Sequence, residues 1–264
     1  MPLGGTILFL GDIVGHEAVD ALKNLLPEIR SQFAIDWIVA NAENAANGSG
    51  LIPSQFRKLR DAGVDGITLG DHAFRRREVV KILQSESTIC RPANYPPGSP
   101  GKGSAVAVNP RGKPLRIGVV LGRVFMKPID CPFAALDAML QAETESDEPW
   151  LIDLHAEATG EKKLLGAYLD GKVAAALGTH THVPTADEWI QPNGTAFICD
   201  VGMTGPSMGI LGRTYETILP GVLTGLQQPY EVAHGHLVLN GALIELDDSG
   251  KRAVSIRRFQ HPMS

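Results

Sequence analysis

Short apolar runs alternate with segments of helical spacing along most of this 264-residue chain, and that alternation constrains the fold more than any other feature. Thr6 to Leu10 is a β-type run. Glu17 to Gln32 then sets Val19, Leu22, Leu25, Leu26 and Ile29 at the three- and four-residue intervals of one helix face. The pattern recurs with Trp37 to Ala40, a helix opening near Pro53, Gly66 to Leu69, and a short helix around Arg77 to Gln84. Strands separated by helices predict a parallel or mixed sheet in an α/β fold. Pro and Gly forbid regular structure from Cys90 to Gly101, and Ser104 to Val108 with Leu115 to Leu121 reads as a hairpin. A helix from Pro132 to about Glu143 follows, then a solvated acidic connection over 143–148. Trp150 to Leu154, Val173 to Leu177 and Thr195 to Cys199 are further strands, with a helix over Glu161 to Leu169 between the first two. Glu216 to Leu226 reads as helix, and His236 to Glu245 with Ala253 to Arg257 as antiparallel closing strands.

Where the apolar runs stop is as informative as the runs themselves. Five of them end in Asp12, in Glu43 and Asn44, in Asp71 and His72, in His155, and in His180 and His182. Ligand sites in such sheets gather at the carboxyl ends of strands, so side chains distant in sequence converge there. Three carboxylates, three imidazoles and one amide carbonyl exceed the four ligands of a tetrahedral zinc site and suit two open, water-bearing ions. Either Glu43 or Asp71 has the chemistry to bridge them. Hard oxygens mixed with imidazoles suit iron, manganese or zinc. In the Gly-led turn Gly178-Thr179-His180-Thr181-His182, the two imidazoles can diverge toward neighbouring ions.

Composition excludes several alternatives. A net charge of −5 argues against bulk nucleic-acid binding, while leaving room for a local cationic pocket for a small phosphate ligand. No run approaches the roughly 18 apolar residues of a membrane span, and the N-terminus has no secretory pattern, so the expected location is cytoplasmic. Cys90, Cys131 and Cys199 are scattered and odd in number, which fits reduced thiols. The length suits one domain over 1–264. Oligomeric state is not fixed by sequence, and a homo-oligomer is left open.

Taken in order, G-D, N-A-E-N, G-D-H, a lone His after a strand, and G-T-H-T-H resemble the calcineurin-like metallophosphoesterase superfamily, and specifically its YmdB-like branch. Ala93 to Gly98 (A-N-Y-P-P-G), Gly122 to Met126 (G-R-V-F-M), His155 to Thr159 (H-A-E-A-T) and Asp200 to Pro206 (D-V-G-M-T-G-P) extend the likeness over nearly the whole chain. The resemblance implies a four-layer sandwich of mixed sheets with a dinuclear centre, iron first among the metals, hydrolysing 2′,3′-cyclic nucleotides. It places Asp12, Asn44 and His182 on one ion, Asp71, His155 and His180 on the other, and Glu43 between them. His72 matches the histidine that would donate a proton to the leaving oxygen while metal-generated hydroxide attacks phosphorus. One departure stands out: Asp71 occupies a position where the family usually has Asn. It adds a negative charge to the ligand set, which should hold metal more tightly and shift the pH optimum.

Substrate contacts are read from residue type alone: Arg91 and Arg123 for phosphate, Tyr95, Phe125 or Phe133 for a base, with core packing the simpler reading for the phenylalanines. Asp153, Thr179 and Thr181 are placed to hydrogen-bond ligand histidines. Two rivals use the same residues. One is a phosphomonoesterase or nucleotidase; the other is a metal-containing regulatory protein acting by partner binding, for which the acid His72 would be superfluous.

Overall fold

A computed structural model describes residues 4–143, 146–226 and 228–263. Thr144 and Glu145 of the acidic connection lie outside the described residues. The first sheet contains β1 (Thr6–Leu10), β2 (Trp37–Asn41), β3 (Gly66–Thr68) and β4 (Ile89–Cys90) in parallel succession. The second contains β5 (Ser104–Val108), β6 (Pro114–Leu121), β7 (Trp150–His155) and β8 (Ala175–Thr179), with β9 (Trp189–Ile190) and β10 (Ala196–Ile198) at its far side. Its spatial order is β5-β6-β7-β8-β10-β9, parallel except for the outer strands β5 and β9. Back in the first sheet, β11 (Gly205–Pro206), β12 (Leu237–Leu246) and β13 (Ala253–Met263) complete the antiparallel flank, with β12 pairing β1.

Helices α1 (Gly15–Gln32), α2 (Pro53–Asp61) and α3 (Val79–Ser85) cover the outer face of the first sheet, while α4 (Pro132–Gln141) and α5 (Thr159–Leu169) cover that of the second. The layers therefore run helix, sheet, sheet, helix, which is the expected four-layer sandwich. Side-chain alternation explains why the strands are apolar throughout. On β1, Ile7 and Phe9 enter the core between the sheets, whereas Leu8 and Leu10 face the helices. A strand buried on both faces has no polar side to show.

Close approach of the sheets sets the central core. A Cβ at Gly66 would lie 2.8 Å from Ala107 Cβ and 2.8 Å from Ile117 Cδ1, so the facing strands meet where one carries no side chain. Trp37, fully buried, spans the gap and donates from Nε1 to Lys113 O at 3.0 Å, satisfying the one polar atom of its ring. Both sheets present the carboxyl ends of their parallel strands to one region, and loops from both meet there. The sixth helix, α6 (Tyr215–Thr224), buries none of its residues and stands apart from the three cores. No described helix is long and apolar enough to cross a membrane.

Sequence patterns locate strand centres better than strand ends. The strand read as Val173 to Leu177 runs instead from Ala175 to Thr179, so Gly178 and Thr179 remain in the β8 ladder opposite Leu154 and His155. The last strand continues to Met263, beyond the expected Arg257, because its full length pairs with β12. Short β9 and β11 carry too few residues to give a periodic signal.

Candidate metal centre

The loop after β1 carries Asp12, that after β2 carries Glu43 and Asn44, and that after β3 carries Asp71 and His72. From the second sheet come His155, the last residue of β7, and His180 and His182 just beyond β8. One ligand atom from each of Glu43, Asp71, His155 and His180 lies within 4.8 Å of the others. His155 Nε2 is 3.3 Å from Glu43 Oε1 and 3.4 Å from Asp71 Oδ1, and His180 Nδ1 is 3.5 Å from Asp71 Oδ1. On the adjoining side, His182 Nε2 is 3.2 Å from Asn44 Nδ2 and 3.9 Å from Asp12 Oδ1. Glu43 Oε1 also accepts from Asn44 Nδ2 at 3.4 Å, so Glu43 stands between the two groups. All seven residues read from the sequence as candidate ligands thus face one space.

The donor set fits divalent metal. Asp12 is fully buried, yet its Oδ1 meets no hydrogen-bond donor. Such an acceptor costs about 1–3 kcal/mol unless a cation or donor faces it. Gly70 matters for the same space: a Cβ there would collide with Glu43 Oε2 and His155 Nε2. The glycine of G-D-H is therefore fixed by the carboxylate and imidazole that close over it.

Backbone strain accompanies the histidine turn. His180 has φ +94° and His182 φ +65°, both in the region unfavourable to side chains with a Cβ. Asp12 Oδ2 accepts from His180 N at 3.1 Å, and Asp200 Oδ2 accepts from Thr181 N at 3.1 Å and from Thr181 Oγ1 at 2.7 Å. Asp200 is in turn paired with Lys162 Nζ at 2.7 Å, both side chains being almost fully buried. This pair supports the turn from behind, and sequence reading missed its lysine. The signal was present in α5: Lys162 falls on the same stripe as Leu165, Gly166 and Leu169, a position where an unpaired lysine would not be buried.

A relay of hydrogen bonds behind the ligands fixes His155. Its Nδ1 lies 2.8 Å from Thr179 Oγ1, which donates to Asp153 Oδ1 at 2.6 Å. Thr68 Oγ1 and Asn41 Nδ2 donate to Asp153 Oδ2. Asp153 therefore reaches the histidine through Thr179, where a direct bond was expected, and Thr181 serves Asp200 in place of a histidine. Burial pushes the Asp153 carboxyl up to about 6, against His155 and these three donors. Burial alone would lower the His155 imidazole, but Glu43 and Asp71 raise it well above its ordinary range. Burial would raise the carboxyls of Glu43 and Asp71, and His155 overrides it in both, leaving them below theirs. Metal binding at this centre therefore competes with protonation of His155, which Glu43 and Asp71 favour.

His72 lies beside this cluster. Its backbone N donates to Glu43 Oε2 at 2.8 Å, and its Nδ1 is 2.7 Å from Asn44 Oδ1. Of the substrate contacts read from sequence, Arg91 is turned to structural use: it is buried and donates to Pro92 O and Ser99 O, bracing the Pro-rich loop. Arg123 is exposed, and its backbone N donates to Glu161. Phe133 packs edge-on against Tyr168. Tyr95 does line a cavity of about 310 Å³ that opens beside Asp71, together with Phe74, Arg75, Met126 and Lys127. Phe125, read as core, is 88% exposed.

Comparison with known proteins agrees with this arrangement. The family model described as YmdB-like protein matches residues 8–259. The 2′,3′-cyclic-nucleotide 2′-phosphodiesterase of Bacillus subtilis strain 168 is 44% identical over 254 residues, covering 96% of each chain. The crystal structure of a hypothetical protein from Thermus thermophilus superposes with a TM-score of 0.91 at 43% identity, covering 98% of this chain and 100% of that one. The crystal structure of a novel phosphatase from Mycoplasma pneumoniae superposes with a TM-score of 0.90 at 31% identity, covering 99% of this chain and 95% of the other. The chain belongs to the YmdB-like family, as its strand-end motifs implied.

Proposed function

We propose that the chain is a metal-dependent phosphodiesterase that opens 2′,3′-cyclic nucleotides at a dinuclear centre. The observation that carries this reading is the convergence of Glu43, Asp71, His155 and His180 within 4.8 Å, with Asp12, Asn44 and His182 adjoining. The 44% identity to the B. subtilis 2′,3′-cyclic-nucleotide 2′-phosphodiesterase supports this choice of substrate class. In this reading Asp12, Asn44 and His182 would hold one ion, Asp71, His155 and His180 the other, and Glu43 would serve both, with iron first and manganese or zinc as alternatives. When bound, metal there would supply Lewis-acid chemistry, polarising the phosphoryl oxygens and lowering the pKa of an attacking water.

The chain's own residues do the rest. Thr179 and Asp153 orient His155, and Asp200 with Lys162 holds the turn that carries His180 and His182. Ligation by Asn44 would put its amide oxygen on the ion side, and the amide nitrogen would then donate to His72 Nδ1 across the same 2.7 Å contact, which leaves the imidazole proton on Nε2. As water adds to phosphorus and the bond to the ribose 2′ oxygen breaks, His72 protonates that oxygen, leaving a 3′-phosphomonoester. The whole of 1–264 acts as one unit, since both sheets contribute ligands. Its three free cysteines suit a reducing, cytoplasmic setting.

The test is turnover of 2′,3′-cyclic AMP and of linear AMP by protein of measured metal content, loaded separately with iron, manganese and zinc, beside His72→Ala. The cyclic diester should be the better substrate, and the variant should lose about 100-fold or more in kcat while retaining metal. Preference for the linear ester would favour a phosphomonoesterase. Binding of the cyclic nucleotide without turnover in every loaded form would favour a regulatory role.

A further inference from the structure

The cavity beside Asp71 has two chemical faces. Its interior is apolar, with Phe74 and Tyr95 in edge-on contact at 5.3 Å between ring centroids and Met126 on the opposing loop. Its lining also includes two exposed cations that reach it from different loops: Arg75, three residues after His72, and Lys127, in the loop after β6. Among the described residues neither has a carboxylate oxygen within 4.0 Å. The Asp71 carboxylate in the same wall is already engaged by His72, His155 and His180.

The loop bearing Lys127 is fixed at its base and presented at its tip. Glu161 accepts from the backbone N of Arg123 and of Val124 at 2.9 to 3.1 Å. The next residue, Phe125, is 88% exposed at φ +61°, a strained conformation for an aromatic residue that packs against no core. This strained residue immediately precedes Met126 and Lys127, which line the cavity, so the fixed loop sets where the Lys127 cation stands.

A 2′,3′-cyclic mononucleotide carries one negative charge, and that charge stays at the metal centre. Its base and ribose can fill the apolar interior but give Arg75 and Lys127 nothing to bind. A phosphate esterified to the ribose 5′ oxygen would supply the missing anion, one ribose away from the reacting phosphate. Resting on the phosphodiesterase reading above, we propose that this cavity binds the nucleoside of a substrate with a second phosphate on its 5′ oxygen, gripped by Arg75 and Lys127. Two sources share that chemistry: a 5′-phosphorylated mononucleotide, and the 3′ end of an oligoribonucleotide, whose 5′ phosphate is an internal diester.

Calorimetric binding of hydrolysis products to the metal-loaded protein tests this independently of turnover. Adenosine 3′,5′-bisphosphate should bind about fivefold to tenfold more tightly than adenosine 3′-phosphate, with the advantage shrinking as salt is raised. In Arg75→Gln/Lys127→Gln, folded by its thermal midpoint, that ratio should fall to about one. A dinucleotide ending in a 3′-phosphate separates the sources: tight binding indicates a chain end, and tight binding of the bisphosphate alone indicates the mononucleotide. Equal binding of the two adenosine phosphates by the unaltered protein would overturn the proposal, as would a preference that survives in the double variant. Absence of turnover on any cyclic phosphate would instead overturn the phosphodiesterase reading, and the binding ratio would still decide this one.

Discussion

Asp71 stands where the resemblance would have an asparagine, and its surroundings explain what a carboxylate there does. An amide would meet His155 and His180 as a neutral dipole, whereas the carboxylate meets both as a charge. Asp71→Asn should lower metal retention on dialysis about tenfold or more and move the pH–rate profile toward lower pH, because the four positive charges of the two proposed divalent ions would then face two anionic ligands in place of three. Unchanged metal content and an unchanged profile would show that the extra negative charge of Asp71 has no effect on the centre. At this scale the sequence was readable, since Asp12, Glu43, Asn44, His155, His180 and His182 each end an apolar run. Less readable were residues whose role depends on contacts across the fold. Arg91 looked suited to phosphate, but burial commits its guanidinium to Pro92 O and Ser99 O. Phe125 looked like core and is in solvent, because only the path of its loop decides which way it faces.

Among the elements, α5 and β8 together form the support of the histidine turn. Lys162 on the helix and Asp200 after β10 are paired in a nearly dry setting, and Asp200 bonds the backbone between two strained histidines. Lys162→Met removes one partner and leaves a buried carboxylate, so it should cost about 3–5 kcal/mol in denaturant unfolding of the metal-free protein. It should also weaken metal binding, because His180 and His182 lose the anchor between them. Arginine at the same position should restore part of both. A variant with unchanged stability and full metal content would mean that the turn is held from elsewhere. Element order was legible from periodicity alone, from the first strand to the closing pair. Strand ends were not: β13 continues to Met263 through pairing with β12, and a partner strand leaves no mark on the local spacing. The Lys162 stripe was legible in principle, as a charged residue on an apolar face.

Over the whole molecule, the decisive fact is that two sheets contribute to one centre. Alternating strands and helices predict parallel pairing, but they do not say that the strands divide into two layers; only the likeness of the motifs supplied that. The division follows from packing: Ile7, Phe9, Trp37 and Val39 of one sheet meet Ile117, Val119, Leu151 and Leu177 of the other, and strands buried on both faces need a layer on each side. Asp12, Glu43, Asn44 and Asp71 arrive from the first sheet and the histidines from the second, so a centre with two ions requires both. The measurement that tests this most directly is titration of the metal-free protein with manganese while hydrolysis of 2′,3′-cyclic AMP is followed. Turnover should appear chiefly with the second equivalent per chain, and binding should weaken as pH falls, because the proton that Glu43 and Asp71 hold on His155 must leave before metal can bind. Full turnover at one equivalent, or saturation at two without turnover, would contradict the account.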